Sequence, residues 1–218
     1  ATQVNLDAGR LDPRKGNATT SATFYASYSV SASTKTIFKY NNTWIGSNDD
    51  IDIIRSPIAE DPWDRIYITG ATAGYPQMTN PTFIASSVYY RLGIPTPVDF
   101  ASAPTLNPAT SALAEEPTSV SYIYTYVSYF GEEGPPITAA VSHIVEKRSD
   151  QTVTVNFPTV VAPNGNITKK RLYRTDASGT FRVVDDVIGN SYLDSKPDSQ
   201  LGEAISVSDH EAPPDGTA

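Results

Sequence analysis

The side chains able to do chemistry are few and poorly placed for one another. The chain has two histidines, His143 and His210, and no cysteine. His143 falls in a strand-like run and His210 in a Pro-rich tail, so no third group holds either as a base beside a nucleophile. No Gly-x-Ser-x-Gly elbow is present. Without cysteine there is no disulfide, no thiolate zinc site and no Cys nucleophile. Carboxylates crowd Asp49, Asp50 and Asp52, with Glu60, Asp61 and Asp64 following. Calcium takes such oxygen ligands, but the Asp-x-Asp-x-Asp-Gly spacing and its bidentate Glu are missing. The segment reads as an exposed acidic loop, and Asp185-Asp186 is a weaker case. Glu132 and Glu133 are the type of pair a glycoside hydrolase uses, but neighbours on a strand point to opposite sides. Lys169, Lys170, Arg171 and Arg174 form the one basic cluster. Alternation splits it between two faces, and it reads as a solvated edge whose lysines guard against self-pairing. Phosphate-cradling glycine patterns are absent. The expectation is no catalytic residue, no cofactor and no metal.

Aromatic side chains offer a different chemistry. Trp44, Trp63 and the thirteen tyrosines combine large apolar area with one polar atom, which suits protein interfaces and stacking on sugars. Tyr122, Tyr124 and Tyr126 share one face of a strand-like run, and with Trp44 and Trp63 they are the expected interface residues. Asn17, Asn41 and Asn166 open glycosylation sequons, which carry little weight in a chain this rich in Asn and Thr.

Composition bounds the elements that must position these groups. The 218 residues allow one large domain or two small ones. Seventeen prolines and thirteen glycines break the chain too often for a long helical bundle. Periodic clusters of Tyr, Val, Ile and Phe argue against disorder throughout. A net charge of −8 disfavours general nucleic-acid binding. No apolar run approaches the roughly 20 residues of a membrane span, and no signal-peptide pattern opens the chain. The chain begins at Ala1, as expected of a removed Met or of a piece of a longer chain.

Residues 1–20 are polar, with turn signals at Ala8-Gly9 and Asp12-Pro13, and read as an extended N-terminal arm. Residues 21–92 read as a β-rich domain. Short runs such as Phe24–Val30, Lys35–Tyr40, Thr43–Ile45, Ile51–Ile54 and Arg65–Thr69 are separated by turn residues. Residues 93–118 carry Pro95, Pro97, Pro104, Pro108 and Pro117 and read as a Pro-rich connector with little internal hydrogen bonding. A second β-block spans 119–208. Its first strand carries Tyr122, Tyr124 and Tyr126 on one face and Ile123, Thr125, Val127 and Tyr129 on the other. Both faces are bulky, which predicts a central strand. Further strands are expected at Ala140–Val145, Thr152–Phe157, Ile167–Thr175 and Phe181–Val184. A short edge follows at Ser191–Asp194, and Ala204–Val207 closes the series. About seven strands in this length match an Ig-like sandwich. Residues 209–218 read as an extended C-terminal tail.

Four stretches together resemble a family of tailed-bacteriophage virion proteins. They are Asn5–Pro13, then Ile54–Ile58 through Arg65–Thr69, then Tyr90–Pro97, and last a set resembling a fibronectin type III-like module. That set comprises Tyr124–Ser128 with Gly131–Pro136, Arg171–Arg174, Tyr192–Asp194 and Leu201–Glu203. In an ordinary module of this kind the Tyr-x-Tyr-x-Val strand comes late. Here it comes first, so the module looks circularly permuted, or this strand completes a neighbouring subunit's sheet. The resemblance implies an all-β fold, an N-terminal antiparallel β-rich part plus a C-terminal fibronectin/Ig-like β-sandwich. It implies a non-enzymatic structural component of a bacteriophage particle, in the tail or neck (nozzle or tail-tube associated). Its partners would be other copies of itself and other virion proteins, with no membrane and no specific nucleic acid. Its location would be the virion, assembled in the bacterial host cytoplasm. The alternatives are a host-surface glycan-binding protein or a capsid-decoration protein.

Overall fold

The computed structural model describes residues 4–7, 10–13, 28–137, 143–160 and 166–206. The protein is all-β, with antiparallel pairing throughout its sheets. Strands β1 (Val4–Asp7) and β2 (Arg10–Pro13) pair as a hairpin, so the segment read as an extended arm folds back on itself.

The N-terminal part contains a hairpin, β3 (Thr36–Tyr40) with β4 (Thr43–Ser47), and a four-stranded sheet. That sheet runs β5 (Asp52–Arg55), β6 (Ile66–Thr69), β7 (Gln77–Thr79) and β8 (Tyr90–Arg91) in spatial order. Alternation decides the faces, since Ile66 and Ile68 are buried while Tyr67 between them is not. Tyr40, Ile45, Ile66, Ile68 and Ile84 form its core, with Phe38, Ile51, Ile53 and Tyr89 packed against them. Ile84 comes from the single-turn helix α1 (Pro81–Ile84), whose first turn is capped by Asn80 accepting from Phe83 N–H at 2.9 Å. The run expected at 24–30 is not a strand over 28–30, and residues 24–27 lie outside the described residues.

Seven strands form the second part. A four-stranded sheet has the order β11 (Ile144–Lys147), β10 (Thr118–Ser128), β13 (Ile167–Thr175), β14 (Phe181–Val187). A three-stranded sheet has the order β15 (Ser191–Asp194), β12 (Thr152–Asn156), β9 (Ser102–Asn107). One core joins both sheets, containing Val120, Tyr122, Tyr124, Leu172 and Val184 from the first and Val153 and Val155 from the second. At roughly 1.5–3 kcal/mol per buried large apolar side chain, this core is the main stabilising mass of the protein.

Three expectations change here. Residues 93–118 are not a connector free of internal hydrogen bonds. They supply β9, which pairs along β12 from Thr152↔Asn107 to Asn156↔Ser102. Proline tolerates an edge strand, and Pro104 sits in one. The basic cluster is not on a solvated edge, because β13 lies between β10 and β14. And β10 is paired on both sides within its own chain. Tyr122–Ser128 pairs with β13, and Thr118–Ser121 pairs with β11. On that second side Gly134 N–H donates to Tyr126 O at 2.9 Å and Ile137 N–H to Tyr124 O at 3.1 Å. Tyr122–Ser128 thus pairs within its own chain along β13 and does not depend on a neighbouring subunit for that partner. Near the C-terminus, Ala204 makes only an isolated bridge to Arg182, and Val207 and the 209–218 tail lie outside the described residues.

Candidate functional site

Trp63, Asp61, Glu132 and Glu133, among the groups that the sequence singles out, come together at the joint between the two β-rich parts. It is built from the loop that follows β10. Ser128 starts it: its N–H donates to Glu132 O at 2.8 Å, and its hydroxyl accepts from Phe130 N–H and Glu132 N–H, each at 3.2 Å. Gly131 makes the reversal with φ near +80°, where a side chain would strain the backbone. Gly134 is required for a different reason. A Cβ there would lie 2.5 Å from Ile94 Cγ2 and 2.8 Å from its Cβ. Ile94 belongs to the segment that enters the sandwich from the N-terminal part, and its side chain is in the sandwich core. The crossing leaves little slack. Leu92 N–H still donates to Pro76 O at 2.8 Å on the N-terminal side, while Val98 O accepts from Tyr124 Oη at 2.6 Å on the sandwich side.

The loop aims its two glutamates in opposite directions. Glu132 accepts from Arg65 Nη1 at 2.5 Å, reaching into the N-terminal part. Glu133 stays with the sandwich, taking Thr125 Oγ1 at 2.6 Å, Arg171 Nη1 at 2.8 Å and the Tyr173 hydroxyl. Adjacent carboxylates thus tie two bodies together and do not face one substrate. Arg65 is buried, bonded through Nε to Asp61 at 2.7 Å, with its guanidinium 5.3 Å from the Phe130 ring centroid. Burial pushes the Asp61 carboxyl up. Hydrogen bonds from Arg65, Ser56 and the Trp63 N–H outweigh that and hold it at about 2. Around this polar knot sits an aromatic cluster with edge-to-face geometry. Trp63 meets Tyr129 at 5.1 Å and Phe130 at 5.4 Å, and Phe83 meets Tyr129 at 5.4 Å and Tyr90 at 5.1 Å.

The predicted interface residues separate into three fates. Tyr122, Tyr124 and Tyr126 are core residues at 0%, 0% and 6% exposure, which removes them from any contact with a partner. The Tyr122 hydroxyl donates to Asp194 at 2.7 Å. Tyr124 packs on Phe157 and Phe100 at 5.1 and 5.0 Å. Tyrosine serves cores as well as interfaces once its hydroxyl has a partner, so its type alone does not tell the two apart. Trp63 is at an interface, but one within the chain. Trp44 is half-buried on β4, opposite Lys39.

Most of the charged candidates are bonded within the chain. Lys169 and Arg171 both bind Asp186, at 2.5 and 2.7 Å. Arg174, on the other face of β13, is buried and bonds Asp194 at 2.6 Å and Asp198 at 2.8 Å. Lys170 is also buried, but its ammonium meets only neutral oxygens, Asn190 Oδ1 at 2.9 Å and Gly189 O at 3.1 Å, beside the Phe157 ring. Desolvation lowers its pKa. Asp185 accepts from Tyr192 Oη at 2.9 Å and Lys196 Nζ at 3.2 Å. In the acidic loop, Asp49 accepts from Thr72 and Asp64 from Asn41. Among the described residues no group of three or more His, Asp or Glu side chains is arranged to hold a metal ion. His143 is buried against Asp99 and the edge of the Phe100 ring, and His210 lies outside the described residues.

Sequence reasoning missed Arg65, Phe83, Tyr129 and Phe130 as joint residues. The one available signal was Gly131-Glu132-Glu133-Gly134, which pairs two turn glycines with two charges directly after an apolar strand. No protein-family model matches the chain, and no curated protein matches it.

Proposed function

We propose that the chain is a non-enzymatic structural component of a bacteriophage particle, in the tail or neck, acting through subunit–subunit contacts in a symmetric assembly. The observation that carries this reading is the joint. Its Arg65–Glu132 bridge and Trp63–Tyr129–Phe130–Phe83 cluster lock two β-rich parts into one block. A building block must transmit position from one contact to the next, and a stiff internal joint does that. Glu132, Arg65 and Asp61 are committed to holding the block together. The strand neighbours also support a fibronectin-like module in permuted order. The late Tyr-x-Tyr-x-Val strand of such a module corresponds to β10, which sits between β11 and β13, while β12 sits between β15 and β9.

Mass spectrometry and image reconstruction of purified particles test the reading. The expected result is this chain at a fixed, symmetric copy number, touching itself and other particle proteins. Its absence from intact particles, or substrate turnover by the purified chain, overturns it. Host-glycan binding is weakened by the packing of Trp63 inside the joint. A glycan array comparing the chain with a Trp44→Ala variant decides what remains of it, with specific binding lost in the variant as the outcome that favours it.

A further inference from the structure

The outward face of the three-stranded sheet carries no charge. Along β12, Val153 and Val155 point into the core, and Thr152, Thr154 and Asn156 alternate with them on the outer side. Residues directly opposite one another share a face. Thr152 is opposite Asn107, Thr154 lies between Thr105 and Leu193, and Asn156 lies between Ser102 and Ser191. The eight positions of this face are therefore Ser, Thr, Asn and one Leu, in a chain with 40 Asp, Glu, Lys and Arg residues and a net charge of −8. The face is ordered by its own bonds. Asn156 Nδ2 donates to Ser102 Oγ at 3.2 Å, and Thr152 Oγ1 donates to Asn107 O at 3.0 Å. On the edge strand β15, Leu193 is the one apolar side chain of the face and is 50% exposed.

We propose that this face is a contact between copies of the chain, sheet face against sheet face. The inference rests on the assembly reading for its choice of occupant. Electrostatics favours that choice, because two copies of an acidic chain repel one another over most orientations. A neutral face is where they meet with the least repulsion and without desolvating an unpaired charge. Small hydroxyl and amide side chains can exchange hydrogen bonds across a flat contact, and the threonine methyls and Leu193 supply apolar area. Edge-to-edge addition is the less suitable geometry at β9, where Pro104 withholds a backbone donor. Three strands about 4.8 Å apart make a face well below the roughly 800 Å² per partner of a stable dimer. The contact is accordingly weak in a single pair and gains strength where many copies are held in register.

Concentration-dependent NMR on the full-length chain reads such a contact directly. Between micromolar and millimolar chain, the amide resonances of Thr105, Thr154 and Leu193 should move together. The double substitution Thr154→Lys with Leu193→Lys should weaken self-association at least about tenfold through like-charge juxtaposition, with an unchanged melting temperature because both side chains point outward. Ile54→Lys, exposed in the N-terminal part, should leave the association as it was. Shifts absent from this face, shifts mapping to the Ile54 region, or shifts surviving the double substitution overturn the proposal. A monomeric chain that is nevertheless present in particles overturns this contact alone and leaves the assembly reading standing.

Discussion

The two β-rich parts solve the same problem with unequal means. Among the described residues, the sandwich closes a core of sixteen buried apolar residues between two sheets, and the N-terminal part closes one of five. A small core seldom supplies much net stability by itself. The difference explains why the joint is so heavily built. The N-terminal part places Arg65, Trp63 and Phe83 against the sandwich, so part of what it lacks inside it gains at that contact. Their polar groups differ in the same sense. In the sandwich Arg174 and Asp194 are wholly buried and bonded to each other, whereas Glu132, which holds Arg65 at the joint, is 44% exposed at its side chain. The sandwich ion pair specifies a core, and the joint ion pair positions a neighbour.

The comparison breaks most visibly at the sandwich pair. Replacing Asp194 with Ala leaves Arg174 buried with its main anion gone, along with the partner of the Tyr122 hydroxyl. The expected loss is about 3–5 kcal/mol in denaturant unfolding. A smaller loss, or a drop confined to the N-terminal part, would contradict the ranking of the two regions. Trp63→Ala removes the centre of the joint cluster and should cost about 2–3 kcal/mol. The more diagnostic outcome is a calorimetric transition that splits in two, the N-terminal part melting first. A single unsplit transition would mean that the parts stay coupled without Trp63.

Acid sharpens the same contrast. The Asp61 carboxyl titrates at about 2 in the fold against an ordinary 3.8. Its stabilisation is fully present above 3.8 and is lost as pH falls through about 2. The difference is worth about 2 kcal/mol, and Asp61→Asn should remove that part of the pH dependence while lowering stability at neutral pH. The smallest expected effect has the opposite sign. Lys170 is a buried cation whose bonds go to neutral oxygens, so Lys170→Met should stabilise the sandwich by about 1 kcal/mol, measured as a higher unfolding midpoint.

Much of the fold was legible as local pattern. Alternation marks Ile66 and Ile68 as inward, and the doubly apolar run at Tyr122–Val127 marks β10 as an interior strand. Asp176–Gly179 marks the turn between β13 and β14, where Gly179 N–H returns to Asp176 O at 2.9 Å. The candidate site was far less legible. Prolines 95–117 carry the local signal of a linker, but Pro104 is compatible with the edge strand that packing makes of it. The tyrosines of β10 have interface chemistry, and only a second sheet lying over them makes them core. Glu132 and Arg65 are partners separated by more than sixty positions, with nothing in either neighbourhood that names the other.

The sequence by itself determined what depends on neighbours a few residues apart: strand runs, turn positions, the all-β class, and the lack of thiol chemistry. Tertiary structure alone decided what depends on distant segments. It put β9 in the sandwich, paired Lys169, Arg171 and Arg174 with the chain's own carboxylates, and sent Glu132 and Glu133 to different parts. The reason is physical. Backbone periodicity and turn conformation are set by short-range sterics, whereas burial and ion pairing depend on which remote surfaces the folded chain brings together.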